Sequence, residues 1–109
     1  MKARAAILFE VGKRLEIHEV EVGAPRAGEV LIRMAAAGIC HTDLHVMTGH
    51  AAAPLPAVLG HEGAGVVEDV GPGVASVKPG DHVIPLWRLS CGVCEYCSDS
   101  RPALCAEGM

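Results

Sequence analysis

The stretch Cys91-Gly92-Val93-Cys94-Glu95-Tyr96-Cys97, followed by Cys105, decides how this chain is read. Two-residue gaps between cysteines let a tight turn present paired sulfurs to one ion, and a tetrahedral zinc site wants four soft ligands at about 2.3 Å. Gly92 supplies the backbone angles that such a turn needs. A disulfide framework is the rival reading, but it requires an oxidising compartment to which nothing in the sequence points. Iron stays open beside zinc, because ligand type alone does not separate the two.

Outside this lobe the five cysteines leave only Cys40, which fits a reduced, cytoplasmic protein. The chain has 109 residues, one domain or part of one. Half of it is hydrophobic, yet Phe9, Trp87 and Tyr96 are the only aromatics, so a core must be built from Val, Leu, Ile and Ala. Thirteen glycines and seven prolines predict many short strands and turns. A net charge of −4 without a basic cluster argues against nucleic-acid binding. The apolar run after Met1-Lys2-Ala3-Arg4 is cut by Glu10, too short for a secretory signal, and no stretch reaches membrane-spanning length.

Upstream of the lobe the pattern is that of strands. Ala5 to Phe9 is a short apolar run, Leu15 to Val20 alternates with period two, and Glu29 to Ala36 returns to strand after the turn residues Gly23 to Gly28. Three such segments without a long helix predict a mainly β fold with short helices, barrel-like or meandering. His18 falls on a polar strand face and reads as solvated. His41 to Met47 is predicted as a short helix, with Thr42 as N-cap and Gly49 at its stop. Ala51 to Pro56 reads as a loop, Gly60 to Gly71 as a strand entered through glycines, Lys78 to Asp81 as a turn and His82 to Leu86 as a strand. Gly63-Ala64-Gly65 is no dinucleotide loop, because Glu68 stands where a third glycine belongs and no helix follows.

Cys40 and His61 form a second candidate pair, with glycines at 38, 60 and 63 allowing close backbone packing around them. An open catalytic metal site needs three protein ligands, and spacing alone offers these two. Taken singly, such a cysteine is as well read as a small buried apolar residue and such a histidine as structural. His41 and His45 lie one helical turn apart on one face. Thr42 can donate and accept a hydrogen bond, and His45 can exchange a proton near neutral pH. A capped helix with solvated histidines is the plainer alternative for this segment.

Together these residues resemble the zinc-dependent alcohol dehydrogenases of the medium-chain dehydrogenase/reductase superfamily. The resemblance rests on Gly38-Ile39-Cys40-His41-Thr42-Asp43-Leu44-His45, on Gly60-His61-Glu62-Gly63-Ala64-Gly65 running on to Gly71 and Val74, on Lys78-Pro79-Gly80-Asp81-His82-Val83, and on the four-cysteine lobe. It covers almost the whole chain. It implies a GroES-like, partly open β-barrel, with residues 1–109 as the N-terminal part of that catalytic domain and a structural-zinc lobe at 91–105. By resemblance Cys40 and His61 are catalytic-zinc ligands, Glu62 a carboxylate able to approach the metal, and Asp43 the group orienting His61. Thr42 and His45 would relay the alcohol proton, His41 would contact the cofactor pyrophosphate, and Thr42 and Trp87 would line the substrate pocket. Cys91, Cys94, Cys97 and Cys105 match the structural site.

The implied activity is reversible oxidation of an alcohol to an aldehyde or ketone with NAD or NADP, in a homodimer or homotetramer. The relatives' third catalytic ligand and their Rossmann domain have no counterpart within residues 1–109. The chain is therefore expected to be an N-terminal portion, inactive by itself. A non-catalytic zinc module serving as a structural or interaction lobe is the alternative. The metal-independent quinone-reductase branch is disfavoured by the four-cysteine lobe and Cys40.

Overall fold

The computed structural model describes residues 1–108. Strand β1 (Lys2–Leu8) pairs antiparallel with β2 (Glu16–Glu21), in a register that sets Ala5 opposite His18. His18 is exposed and hydrogen-bonds Glu16 at 3.1 Å, as its polar-face position predicts. The other edge of β1 takes the two-residue strand β4 (Ala57–Val58), with Leu8 opposite Ala57. The middle strand of a sheet loses most water, and Leu8 is fully buried.

The turn residues between 23 and 28 do not return the chain onto β2. Instead β3 (Val30–Ala37) pairs with β5 (Gly63–Val70), and β5 carries β6 (His82–Val83) on its far side. The molecule thus has two three-stranded antiparallel sheets, β2-β1-β4 and β3-β5-β6, rather than one meander. Val67 in the central strand β5 is buried to 2 % exposure. Gly65 is needed in β5 because a Cβ there would stand 2.5 Å from the Arg33 carbonyl oxygen. The segment 63–65 is therefore strand, in keeping with the rejection of a nucleotide loop.

In chain order helix α1 (His41–Met47) lies between β3 and β4, with the predicted bounds. Its N-cap is Cys40, not Thr42, and no side chain caps it. The Thr42 hydroxyl is occupied elsewhere, as described below. The predicted strand His82–Leu86 pairs only at His82 and Val83. Pro85 has no N–H to extend a ladder, and the chain leaves the sheet there. It leaves Ile84 at 73 % and Leu86 at 81 % exposure.

The chain then enters the cysteine lobe, built from helix α2 (Glu95–Ser98) and the 3₁₀ turn Pro102–Leu104. Leu8, Val67 and Cys105 are the fully buried hydrophobic residues among those described, so one sulfur is among the best-buried groups. A small domain with so little buried apolar surface draws its stability from metals or partners.

Candidate metal centres

All five cysteines are free thiols, and the sulfurs of Cys91, Cys94, Cys97 and Cys105 lie within 4.8 Å of one another. The Cys94 and Cys105 sulfurs are 4.0 Å apart. That is about twice a disulfide bond, and close to the roughly 3.8 Å edge of a sulfur tetrahedron with 2.3 Å metal–sulfur bonds. The spacing therefore fits an ion and not a cystine.

Local backbone explains the convergence. Gly92 turns with φ +79°, a left-handed angle that a side chain would oppose. The Cys94 N–H then points at the Cys91 sulfur and the Cys91 N–H at the Cys105 sulfur, both at 3.3 Å. Backbone N–H groups of Cys97 and Ala106 bring the Cys94 thiol down to about 6, and that of Cys91 holds Cys105 below its ordinary value. Burial pushes Cys97 up to about 12. Sulfurs held this close cannot all ionise without a cation, and the N–H groups already favour two of the thiolates. The donor set fits a divalent metal.

The second constellation is assembled from distant segments. Cys40 ends the loop after β3, while His61 and Glu62 precede β5, and the Gly38 N–H donates to the Glu62 carbonyl at 2.6 Å across that junction. Donor atoms of Cys40, His61 and Glu62 lie within 4.8 Å of one another. The Thr42 hydroxyl sits on both of the first two, 3.1 Å from Cys40 Sγ and 3.3 Å from His61 Nε2. Asp43 Oδ1 is 3.6 Å from His61 Nδ1, beyond a hydrogen bond but close enough to orient the ring by charge. With Nδ1 turned to Asp43, Nε2 is left facing the Thr42 hydroxyl that also touches Cys40 Sγ, the side a metal-binding imidazole needs open.

Around this pair the other expected residues are brought in unequally. The Trp87 indole stands 5.5 Å from the His61 ring and is 67 % exposed. Thr42, His61 and Trp87 line an open cleft of about 540 Å³. A second cleft of about 550 Å³ lies on the Glu62 side, walled by Gly38, Ile84, Pro85 and Leu86. Sequence reading missed these apolar walls; the Pro-interrupted run after Val83 was their signal. His41 and His45 stack edge-on at 5.0 Å, on one helix face as predicted. The His45 ring is also 6.0 Å from His50, which sequence reading did not single out. Among the described residues no hydrogen bond joins Thr42 to His45, since Thr42 turns to Cys40 and His61.

The β fold thus brings together two donor clusters, four sulfurs in the lobe and an open cysteine–histidine–carboxylate group beside the clefts. The family model "Alcohol dehydrogenase GroES-like domain" matches residues 26–109, and the chain belongs to that family. The NDMA-dependent alcohol dehydrogenase of Amycolatopsis methanolica is 54 % identical over 108 residues, which are 99 % of this chain and 29 % of that protein. An S-(hydroxymethyl)glutathione dehydrogenase of Escherichia coli is 55 % identical over 106 residues, covering 96 % of this chain and 29 % of the relative. The cobalt- and zinc-bound thermostable alcohol dehydrogenase of Pyrobaculum aerophilum superposes with a TM-score of 0.85 at 40 % identity, over 98 % of this chain and 33 % of that one. The chain thus spans less than a third of the length of these curated relatives. No helix among the described residues is long and apolar enough to cross a membrane.

Proposed function

We propose that this chain forms the metal- and alcohol-facing part of a zinc-dependent alcohol dehydrogenase, which converts alcohols to aldehydes or ketones reversibly with NAD or NADP. The observation that carries this is the Thr42 hydroxyl lying between Cys40 Sγ and His61 Nε2 at the edge of a cleft. A purely structural site has no need of a proton-carrying hydroxyl on two ligand atoms. Cys40 and His61 would hold zinc there, with Glu62 as the adjacent carboxylate, and the four-cysteine lobe would hold a second, structural zinc. Bound in place, zinc supplies Lewis-acid polarisation of an alcohol oxygen and a nicotinamide supplies hydride chemistry.

The rest belongs to the chain's own side chains. Asp43 orients the His61 ring so that Nε2 faces the Thr42 hydroxyl. Thr42 Oγ1 accepts the proton of a hydroxyl group bound in the cleft and can donate its own in exchange. His45, exposed one turn along α1, passes a proton to solvent. His41, beside it, would contact the cofactor pyrophosphate. Trp87 covers His61 and narrows the cleft, favouring small or flat substrates. A dimer or tetramer and a reducing, cytoplasmic setting complete the reading, the latter supported by five free thiols.

The test loads the chain with Co²⁺ and titrates it with a primary alcohol or aldehyde. The absorption of a cysteine–histidine cobalt site should shift, less so in Thr42→Val, and should be missing in Cys40→Ser. A spectrum indifferent to alcohol would favour the non-catalytic module instead. No alcohol-dependent nicotinamide reduction is expected from this polypeptide by itself.

A further inference from the structure

Gly38 stands where β3 gives way to α1, and its amide is tied to the Glu62 carbonyl at 2.6 Å. A Cβ built on Gly38 would come within 2.5 Å of Glu62 Oε2 and 3.1 Å of Glu62 Cβ. The carboxylate is thus folded into the space that only a glycine leaves. The same carboxylate belongs to the cluster whose donor atoms lie within 4.8 Å of Cys40 Sγ and His61. Glu62 is otherwise exposed, and no side chain among the described residues hydrogen-bonds or pairs with it. Without a seat, it would have every reason to swing into water, because an exposed, unpaired glutamate keeps its rotamer freedom.

We propose that Gly38 is a positioning residue: the missing side chain is the seat that holds the Glu62 carboxylate beside Cys40 and His61, within reach of a divalent cation bound by that pair. The inference rests on the metal reading of Cys40 and His61 given above. It explains why a glycine with an ordinary backbone angle is found at position 38, where no turn demands one. The atom that a Cβ meets most closely is the far end of a flexible side chain, so Gly38→Ala displaces the carboxylate first, and the 3.1 Å approach to Glu62 Cβ asks the backbone for only a few tenths of an ångström. Loss should therefore show in metal binding, with little change in folding.

The experiment titrates Co²⁺ into the chain with zinc already in the four-cysteine lobe, and follows the ligand-field absorption of the second site. Gly38→Ala is expected to weaken Co²⁺ binding about tenfold or more, the scale on which supporting groups act on metal affinity. Glu62→Ala should give a similar loss, and Gly38→Ala added to Glu62→Ala should cost far less than it does alone, because the clashing carboxylate is gone and only the 3.1 Å approach of the two Cβ atoms remains. The double variant also keeps the test open should Gly38→Ala alone fold poorly. Wild-type affinity in Gly38→Ala, or losses that simply add in the double variant, overturns the role of Gly38. Cys40→Ser separates the two readings: if it leaves Co²⁺ binding intact, the site assignment itself is wrong.

Discussion

The two candidate metal centres are built in opposite ways. The lobe draws its four sulfurs from residues 91–105, and local turns bring them together, with Gly92 reversing the chain and backbone N–H groups aimed at the sulfurs. The Cys40–His61–Glu62 cluster joins the end of one strand to the start of its neighbour, and depends on the β3–β5 register that sets Ala37 opposite Gly63. A local site carries its geometry in its own spacing. A site assembled across a sheet borrows its geometry from pairing elsewhere, and is open on the side where the cleft lies.

The sharpest way to break this contrast is to remove a lobe ligand. Cys105→Ser should eliminate metal binding by the lobe and unfold residues 91–105, since binding of a structural zinc is worth about 10–16 kcal/mol in small peptides and is realised as folding. Metal content and the Tyr96 signals would report it. His61→Ala should do the reverse. The lobe keeps its metal, while binding of Co²⁺ at the second site is lost and Trp87 fluorescence changes as the tilted ring 5.5 Å away disappears. Should His61→Ala also empty the lobe, the two sites are not independent.

Asp43→Asn is expected to be milder. It leaves all ligands in place but removes the charge facing His61 Nδ1, and should lower metal affinity at that site by about 10- to 100-fold. An unchanged affinity would mean that the 3.6 Å contact orients nothing.

The smallest effect concerns the turn before β6. Asp81 accepts from the Lys78 ammonium at 2.9 Å and the Lys78 N–H at 3.0 Å, and these bonds hold its carboxyl below the ordinary value of 3.8. A carboxyl depressed in the folded state stabilises it above that ordinary value, and the contribution fades as pH falls through the folded value. Asp81→Asn should therefore lower the melting temperature slightly at neutral pH and not at all in strong acid. An exposed pair of this kind contributes little.

The same contrast governs what could be read from sequence. The lobe was legible without any relative, because its cysteine spacing and Gly92 are adjacent in the chain. Helix α1 was legible to the residue, but its cap was not: Thr42 has the chemistry of an N-cap, and only the folded neighbourhood shows it turned to Cys40 and His61. Cys40 and His61 were a weak signal by spacing and became a site only through resemblance. The strand at Ala57–Val58 escaped notice because it is short and Pro54 and Pro56 run straight into it, and the strand at His82 was read too long because Pro85 was given too little weight. The seat of Glu62 on Gly38 could not be read at all, since it arises from two segments meeting.

The central claim is that the lobe encloses a divalent ion independently of the second site. Elemental analysis of the reduced, folded chain after exhaustive dialysis tests it most directly, with Cys40→Ser prepared in parallel. About one tightly held zinc per chain in both proteins is the predicted result, as a closed four-thiolate site implies. A metal-free folded chain, four thiols found bridged in pairs, or zinc lost on Cys40→Ser would contradict it.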